Sequence, residues 1–110
     1  MKIRGTQIGL KNPTLVDTIK TAMRESRYAY GEPRGQIGGC VDPRGVYHVV
    51  EGHHRMAAAE EIERETGDST AVITLLLLGT WTYTRRPPPE SRPMPARDWW
   101  GWLKNRFRIG

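Results

Sequence analysis

The chain has 110 residues, 37% of them hydrophobic and 26% charged, a composition typical of one small globular domain. A single cysteine, Cys40, excludes an intramolecular disulfide and predicts a reducing, cytoplasmic setting. The longest apolar run, residues 75–78, is far shorter than the roughly 20 residues that span a bilayer, so no transmembrane segment is expected. The net charge of +5 arises entirely from residues 85–110, which contain seven basic and two acidic residues.

The N-terminal quarter of the chain predicts a short strand followed by an amphipathic helix. Residues 2–8 alternate loosely between apolar and polar types and predict the strand. A helix is predicted over residues 13–27, with Thr14 and Asp17 forming a capping box at its start. Its apolar positions recur with the spacing of one helix face: Leu15, Val16, Ile19, Ala22 and Met23.

The middle of the chain predicts a β-hairpin. Strands are expected over residues 36–41 and 46–51, joined by the turn Asp42-Pro43-Arg44-Gly45, in which proline presets φ and glycine closes the turn. The pair Gly38-Gly39 inside the first strand indicates close approach of another backbone.

Two further elements are predicted before residue 84. Residues 53–66 are rich in strong helix formers and predict a second helix, which Gly67 ends as a C′ residue. Residues 71–78 form an apolar run of strand length and predict a buried strand. The expected organisation is a globular domain over 1–84 and a proline- and arginine-rich linker with a short basic helix over 85–110.

The tail, residues 85–110, has its own character. The prolines of residues 85–95 predict an extended chain outside the sheet and the helices. Residues 96–108 predict a short amphipathic helix, which either folds back onto the domain or binds nucleic acid, a membrane surface or a protein partner. Its apolar face is rich in tryptophan: Trp99, Trp100, Leu103 and Phe107.

The segment Glu51-Gly52-His53-His54-Arg55 is the strongest candidate for a site. It joins a predicted strand directly to a predicted helix, and a helix start exposes backbone N–H groups with positive partial charge. Gly52 permits close approach of a ligand to the backbone, and the Arg55 guanidinium offers paired donors suited to phosphate. Gly52, His53, His54 and Arg55 are therefore predicted to bind phosphate. Glu51 and His54 are the candidate catalytic residues, with Glu51 as a base or magnesium ligand.

Structural interpretations of the same residues stay open. Arg55 could pair with Glu51 or Glu25, and His48 is expected to be a structural polar residue on its strand. Cys40 is expected to be an inert small residue. The spacing of Cys40, His48, His53 and His54 matches no established zinc pattern, so no metal site is predicted from them.

The stretch from Leu15 to Leu77 resembles the ParB/sulfiredoxin superfamily domain, most specifically over Val49 to Ala58. The resemblance implies an α+β fold in which a small mixed sheet packs with two main helices, followed here by the basic, tryptophan-rich short helix. Relatives hold nucleotide phosphates with the matching segment: CTP in the chromosome-partitioning branch and an adenine nucleotide in the free-serine-kinase branch. The catalytic cysteine of sulfiredoxins falls where His53 stands, so sulfiredoxin activity is not expected.

Three functions follow from the site and the tail. The first is binding of a nucleoside triphosphate with Mg²⁺ at the segment 51–55, with phosphotransfer or hydrolysis as a catalytic form. The second is a DNA-binding or nuclease-type protein in which the basic tail adds affinity for a nucleic acid. The third is a non-catalytic regulator that binds a protein partner through residues 96–108.

Overall fold

The computed structural model describes residues 2–97, in which a five-stranded mixed sheet packs against three helices. The coarse α+β class predicted from the sequence is therefore confirmed. None of the helices within this range is long and apolar enough to cross a membrane. The elements in chain order are β1 (Ile3–Gly5), α1 (Pro13–Arg24), β2 (Gly38–Val41), β3 (Tyr47–Glu51), α2 (His53–Thr66), α3 (Thr70–Leu78), β4 (Thr80–Tyr83) and β5 (Arg92–Pro93).

The sheet has the strand order β4-β2-β3-β1-β5. β2 and β3 form the predicted antiparallel hairpin, with Gly45 at φ +78° in its turn. β1 lies parallel to β3, and β4 lies parallel to β2. β5 pairs antiparallel with β1 at the edge of the sheet. The central strand β3 therefore has partners on both sides and leads directly into α2.

The glycine pair in β2 marks a close backbone approach, as the sequence predicts. A register shift falls between Gly38 and Gly39 where β2 pairs with β3. A Cβ atom at Gly39 would overlap the carbonyl group of His48 on β3. Only glycine allows the two strands to lie this close at that point.

Helix α1 begins where predicted, but a different residue caps it. Asn12 is the N-cap, and its Oδ1 accepts a hydrogen bond from the Leu15 amide at 3.2 Å, with Pro13 in the first turn. The predicted capping box of Thr14 and Asp17 is wrong because both residues lie inside the helix. The helix ends at Arg24, before Ser26, whose φ of +57° is incompatible with a continuing helix.

Helix α2 has the predicted bounds, His53 to Thr66. Gly67 follows at φ +77°, and its amide donates to the Glu63 carbonyl oxygen, which ends the helix in the expected way. Met56 and the three alanines 57–59 are buried. The small alanine side chains let the helix lie close to its neighbours.

The predicted strand over 71–78 is wrong: these residues belong to helix α3, which makes three helices in residues 2–97. Ala71, Val72, Leu75 and Leu76 are buried, a spacing that places them on one side of a helix. The Asp68 carboxylate accepts hydrogen bonds from the backbone and the hydroxyl of Thr70, which satisfies donors at the helix start. The strand that pairs with β2 is β4, which begins directly after Gly79.

Residues 85–97 do not simply extend away from the domain. The two-residue strand β5 within them pairs with β1, which differs from the extended chain outside the sheet that the prolines predict. Pro93 is compatible with the pairing because β5 is an edge strand. The predicted helix over 96–108 falls almost wholly on residues 98–110, outside the described residues.

Salt bridges between buried and partly buried side chains link α1, α2 and the end of the described residues. Lys20 and Glu61 are each 7% exposed, and the Lys20 Nζ lies 3.1 Å from Glu61 Oε1. Arg97 donates through Nε to Glu61 Oε2 at 2.8 Å and through Nη1 to Asp17 Oδ1 at 2.6 Å. Burial opposes ionisation of Glu61, but the hydrogen bonds from Arg97 and Lys20 outweigh it and lower its pKa. Arg97 thereby fastens the tail segment to both helices.

Glu60 gives the domain a testable pH dependence. Burial raises the pKa of Glu60 to about 7, against the attraction of Arg64 and with a contribution from Glu63. The folded chain therefore holds more protons than the unfolded chain between about pH 4.5 and 7, and stability falls as pH rises through this window. We expect Glu60→Gln to raise the free energy of unfolding by about 2 kcal/mol at pH 8 and to change it little at pH 4. Urea denaturation at both pH values measures this, and equal effects of Glu60→Gln and Glu63→Gln at pH 8 would contradict it.

Candidate functional site

The start of α2 has the backbone geometry that the sequence predicts. Gly52 lies at φ +94°, and a Cβ atom there would stand 2.5 Å from Ile37 Cγ2, so only glycine fits at this junction. The first turn of the helix contains no acidic residue, and no side chain caps it through a hydrogen bond. The backbone N–H groups at the beginning of α2 thus keep their capacity for an acceptor.

His53 is an anchoring residue in this structure. Its ring is 4% exposed, and Nε2 accepts a hydrogen bond from the Thr6 amide at 3.0 Å. Burial lowers the pKa of His53, against the effect of the Val49 carbonyl. The ring is therefore neutral near pH 7 and supplies no positive charge to a ligand, so its contribution to the site is the backbone amide.

His54 makes a similar contact on the other side of the same segment. Its Nε2 accepts a hydrogen bond from the Asn12 amide at 3.0 Å, and the side chain is half-buried. An accepting Nε2 leaves Nδ1 as the ring's donor. Together the two histidines hold residues 6–12, the chain between β1 and α1, against the start of α2.

Arg55 is tied to the backbone beside β2. Its Nη1 donates to the Gln36 carbonyl oxygen at 2.8 Å, and among residues 2–97 it forms no ion pair with Glu51 or Glu25. The nearby hydroxyl of Tyr28 donates to the Gly35 carbonyl oxygen at 2.6 Å. Burial raises the pKa of Tyr28 to about 12, with Arg55 acting in the opposite direction. The guanidinium is thus held in place by one bond while its other donors can serve an anion.

Glu51 ends β3 directly before this junction. Its side chain is exposed, and within the described range it makes no hydrogen bond to another residue. The structure therefore brings Gly52, His53, His54 and Arg55 together at the helix start, with Glu51 at the adjoining surface. An exposed carboxylate next to these backbone amides is a suitable magnesium ligand or base.

A second cluster, which the sequence analysis did not find, joins Asp42, His48 and Ser91. His48 is fully buried; its Nδ1 lies 2.8 Å from Ser91 Oγ, and its Nε2 lies 3.0 Å from Asp42 Oδ2. Arg4 Nε donates to Ser91 Oγ at 2.9 Å. The strand register explains the proximity, because His48 lies opposite Arg4 on β1 and Ser91 directly precedes β5.

Asp42 is fixed by the turn of the hairpin. Its Oδ1 accepts from the amides of Arg44 and Val46 at 2.9 and 3.2 Å, and its Oδ2 accepts from the Arg44 guanidinium at 3.0 Å. The hydrogen bond from His48 is the main cause that holds the pKa of Asp42 far below its usual range, and burial opposes it. Asp42 is therefore an ionised acceptor at neutral pH.

Ser91 opens onto a basic cleft of about 650 Å³. Three cationic side chains line it, and none of the described lining residues carries a carboxylate. The lining residues are Lys2, Arg4, Arg44, Gly45, Val46, Pro87, Pro88 and Ser91. A concave, positively charged surface of this size suits a small anionic molecule.

The sequence predicts no metal site from Cys40, His48, His53 and His54. Between residues 2 and 97, no group of three or more His, Cys, Asp or Glu side chains is placed to hold a metal ion. Cys40 lies half-buried on β2, and burial is the main cause that raises the pKa of its thiol, so it is poorly suited to act as a thiolate nucleophile.

Comparison of the chain with protein-family models, with curated proteins and with solved structures finds no match. The geometry of the two clusters is therefore the basis for assigning a function.

Proposed function

We propose that this chain is a cytoplasmic phosphate-binding protein of the ParB/sulfiredoxin type, and more narrowly a binder of nucleoside triphosphates. One observation carries the proposal: the start of α2 has neither a side-chain cap nor an acidic residue, and Arg55 stands in the same turn. The helix has 14 residues, so its dipole favours negative charge at this end. The amides of His53, His54 and Arg55 are the proposed donors to phosphate oxygens.

The side-chain contacts support a separate role for each residue in this proposal. Arg55, positioned by its bond to the Gln36 carbonyl, supplies the charge and the planar donors. His54 supplies a ring N–H at Nδ1 because Asn12 occupies its Nε2. His53 supplies rigidity through the Thr6 amide.

A catalytic form of this function would use the exposed Glu51 carboxylate and His54. Glu51 would hold a Mg²⁺ ion bound with the nucleotide or would accept a proton from water, and the metal would supply neutralisation of the phosphate charge. The reaction class is phosphotransfer or hydrolysis of a phosphate ester or anhydride.

Arg55→Ala is expected to weaken nucleotide binding by about 1.5–3 kcal/mol, the scale of a hydrogen bond to a charged group. Calorimetric titration with ATP, GTP, CTP and UTP in the presence of Mg²⁺ measures the loss. Arg64→Ala is the matched control, because it removes the same charge from an exposed position of the same helix. Thermal unfolding of both variants checks the fold, since Arg55 also binds the Gln36 carbonyl. Equal affinities of the two folded variants would contradict the proposed site.

Binding of nucleic acid is the second candidate, favoured by the concentration of the whole net charge of +5 in residues 85–110. In that function the α2 site holds a backbone phosphate, and the tail adds salt-dependent affinity. A mobility-shift assay of the full chain at low and moderate salt tests it. A regulator that binds only a protein partner would bind neither nucleotides nor nucleic acid.

A further inference from the structure

We propose that Ser91 is a nucleophile that cleaves esters of anionic acids in the basic cleft. His48 activates it as the base. This site shares no residue with the phosphate site at α2. It consists of a continuous hydrogen-bonded chain from Asp42 through His48 to Ser91, with Ser91 at the wall of the cleft. A nucleophile, a base and a group that orients the base, each within hydrogen-bond distance of the next, form the arrangement that activates a serine.

The donor and the acceptor of each hydrogen bond between Asp42, His48 and Ser91 follow from the chemistry of the three side chains. Asp42 is an acceptor only, so the His48 Nε2 must donate to it. In the neutral ring Nδ1 is then an acceptor, and the hydrogen bond at 2.8 Å places the Ser91 hydroxyl proton on the line to Nδ1. Arg4 Nε donates to the same Ser91 oxygen and occupies a lone pair, so the hydroxyl proton is directed to His48.

Burial keeps this geometry fixed. The side chains of His48 and Asp42 are both inaccessible to water, whereas Ser91 is half-buried and lines the cleft. The base, His48, and the orienting group, Asp42, are thus shielded from solvent. Ser91 is the member of the three that can contact a substrate. Asp42 acts through His48 as a positioning residue, because its charge fixes the tautomer in which Nδ1 carries no proton and can accept one from Ser91.

The charges around the cleft select the substrate class. Lys2 and Arg44 stand at the wall of the cleft with Arg4, and the Arg44 side chain is 68% exposed. Arg4 also donates through Nη2 to the Ser91 carbonyl oxygen at 3.3 Å, which holds its guanidinium beside Ser91 at the wall of the cleft. The substrate is therefore an ester whose acyl part carries a carboxylate or phosphate group.

The reaction balances with water as the only co-reactant. Ser91 Oγ attacks the ester carbonyl carbon while its proton moves to His48 Nδ1. The bond to the alcohol breaks, and the departing oxygen takes the proton from His48. Water then attacks the acyl-serine with the same proton transfers, which releases the acid and restores Ser91.

Labelling of the folded full-length chain with a fluorophosphonate, mapped by mass spectrometry, is the first test. We expect the label on Ser91, loss of labelling in Ser91→Ala and unchanged labelling in the control Ser69→Ala. His48→Gln should slow labelling by at least about a hundredfold, the scale of general-base catalysis. Because His48 is buried, the mapped site in the unmodified chain decides the test if that variant does not fold. No labelling of the folded chain, or labelling of another residue, would overturn the proposal.

Ester specificity is the second test. Mono-4-nitrophenyl succinate, which is anionic, should be hydrolysed at least about tenfold faster than neutral 4-nitrophenyl butyrate. The double variant Lys2→Gln/Arg44→Gln should lose this preference for the anionic ester. Asp42→Asn should lower kcat with little change in KM, as expected for loss of the correct tautomer. Hydrolysis that persists in Ser91→Ala would overturn the assignment, whatever the result of nucleotide titration at α2.

Discussion

Gly39→Ala should destabilise the domain by about 3 kcal/mol, at the upper end of the cost of forcing extra atoms into a packed structure. The added Cβ would overlap the His48 carbonyl group and lie 3.0 Å from the Val50 amide nitrogen. These are backbone atoms of the neighbouring central strand, so no side-chain rotation can relieve the overlap. The hairpin must open, and β2 also carries β4 on its other edge.

Chemical denaturation of Gly39→Ala and Gly9→Ala measures this effect against a matched control. A Cβ at Gly9 meets no atom within 4 Å, and Gly9 does not have a positive φ, so its substitution should change stability little. Both candidate sites should also be impaired in Gly39→Ala, because β3 carries His48 near its start and leads into Gly52 at its end. Equal stability of the two variants would show that β2 and β3 do not pair in this register.

The elements that could be predicted are those whose signals are local in the chain. Helix α2 has glycines on both sides, Gly52 and Gly67, and strong helix formers between them, so its bounds follow from the sequence. Helix α3 is apolar on nearly all sides and has no periodicity, so a buried helix and a buried strand look alike in the sequence. The local signal that could have separated them is Asp68, whose carboxylate binds Thr70 at the helix start.

The two clusters differ in the same way. The predicted residues at α2 are contiguous, so one strand-to-helix junction brings them together. The cluster in the cleft joins residues from the hairpin turn, β3, β1 and the chain before β5, and Ser91 lies 43 residues after His48. It forms only because β5 pairs with β1 at the edge of the sheet, and a proline-rich segment gives no sequence signal for that pairing. His48 alone therefore resembled an ordinary polar strand residue.

Glu61→Ala is the other substitution with a large expected effect, a loss of about 3–5 kcal/mol of unfolding free energy at pH 7. The nearly buried Lys20 would lose one of its two carboxylate partners and keep Glu65 at 2.6 Å. Arg97 would lose two hydrogen bonds and keep only Asp17. Most of the cost arises from the buried Lys20 and the partly buried Arg97, each of which is left with one carboxylate partner fewer, since the intact network contributes little beyond its own desolvation.

Urea denaturation of Glu61→Ala and Glu25→Ala separates this buried network from an ordinary surface pair. Glu25 pairs with Arg27, and both side chains are more than half exposed, so Glu25→Ala should cost less than about 1 kcal/mol. Because the folded state lowers the pKa of Glu61, its contribution should be present at neutral pH and lost as pH falls through the acid range. If Glu61→Ala lowered the free energy of unfolding as little as Glu25→Ala does, Arg97 would not form the ion pairs that connect it to Glu61 and Asp17. The segment after β4 would then lack its ion pairs with α1 and α2, and the wall of the cleft that carries Ser91 would be held by β5 and by the hydrogen bonds of Ser91 to Arg4 and His48.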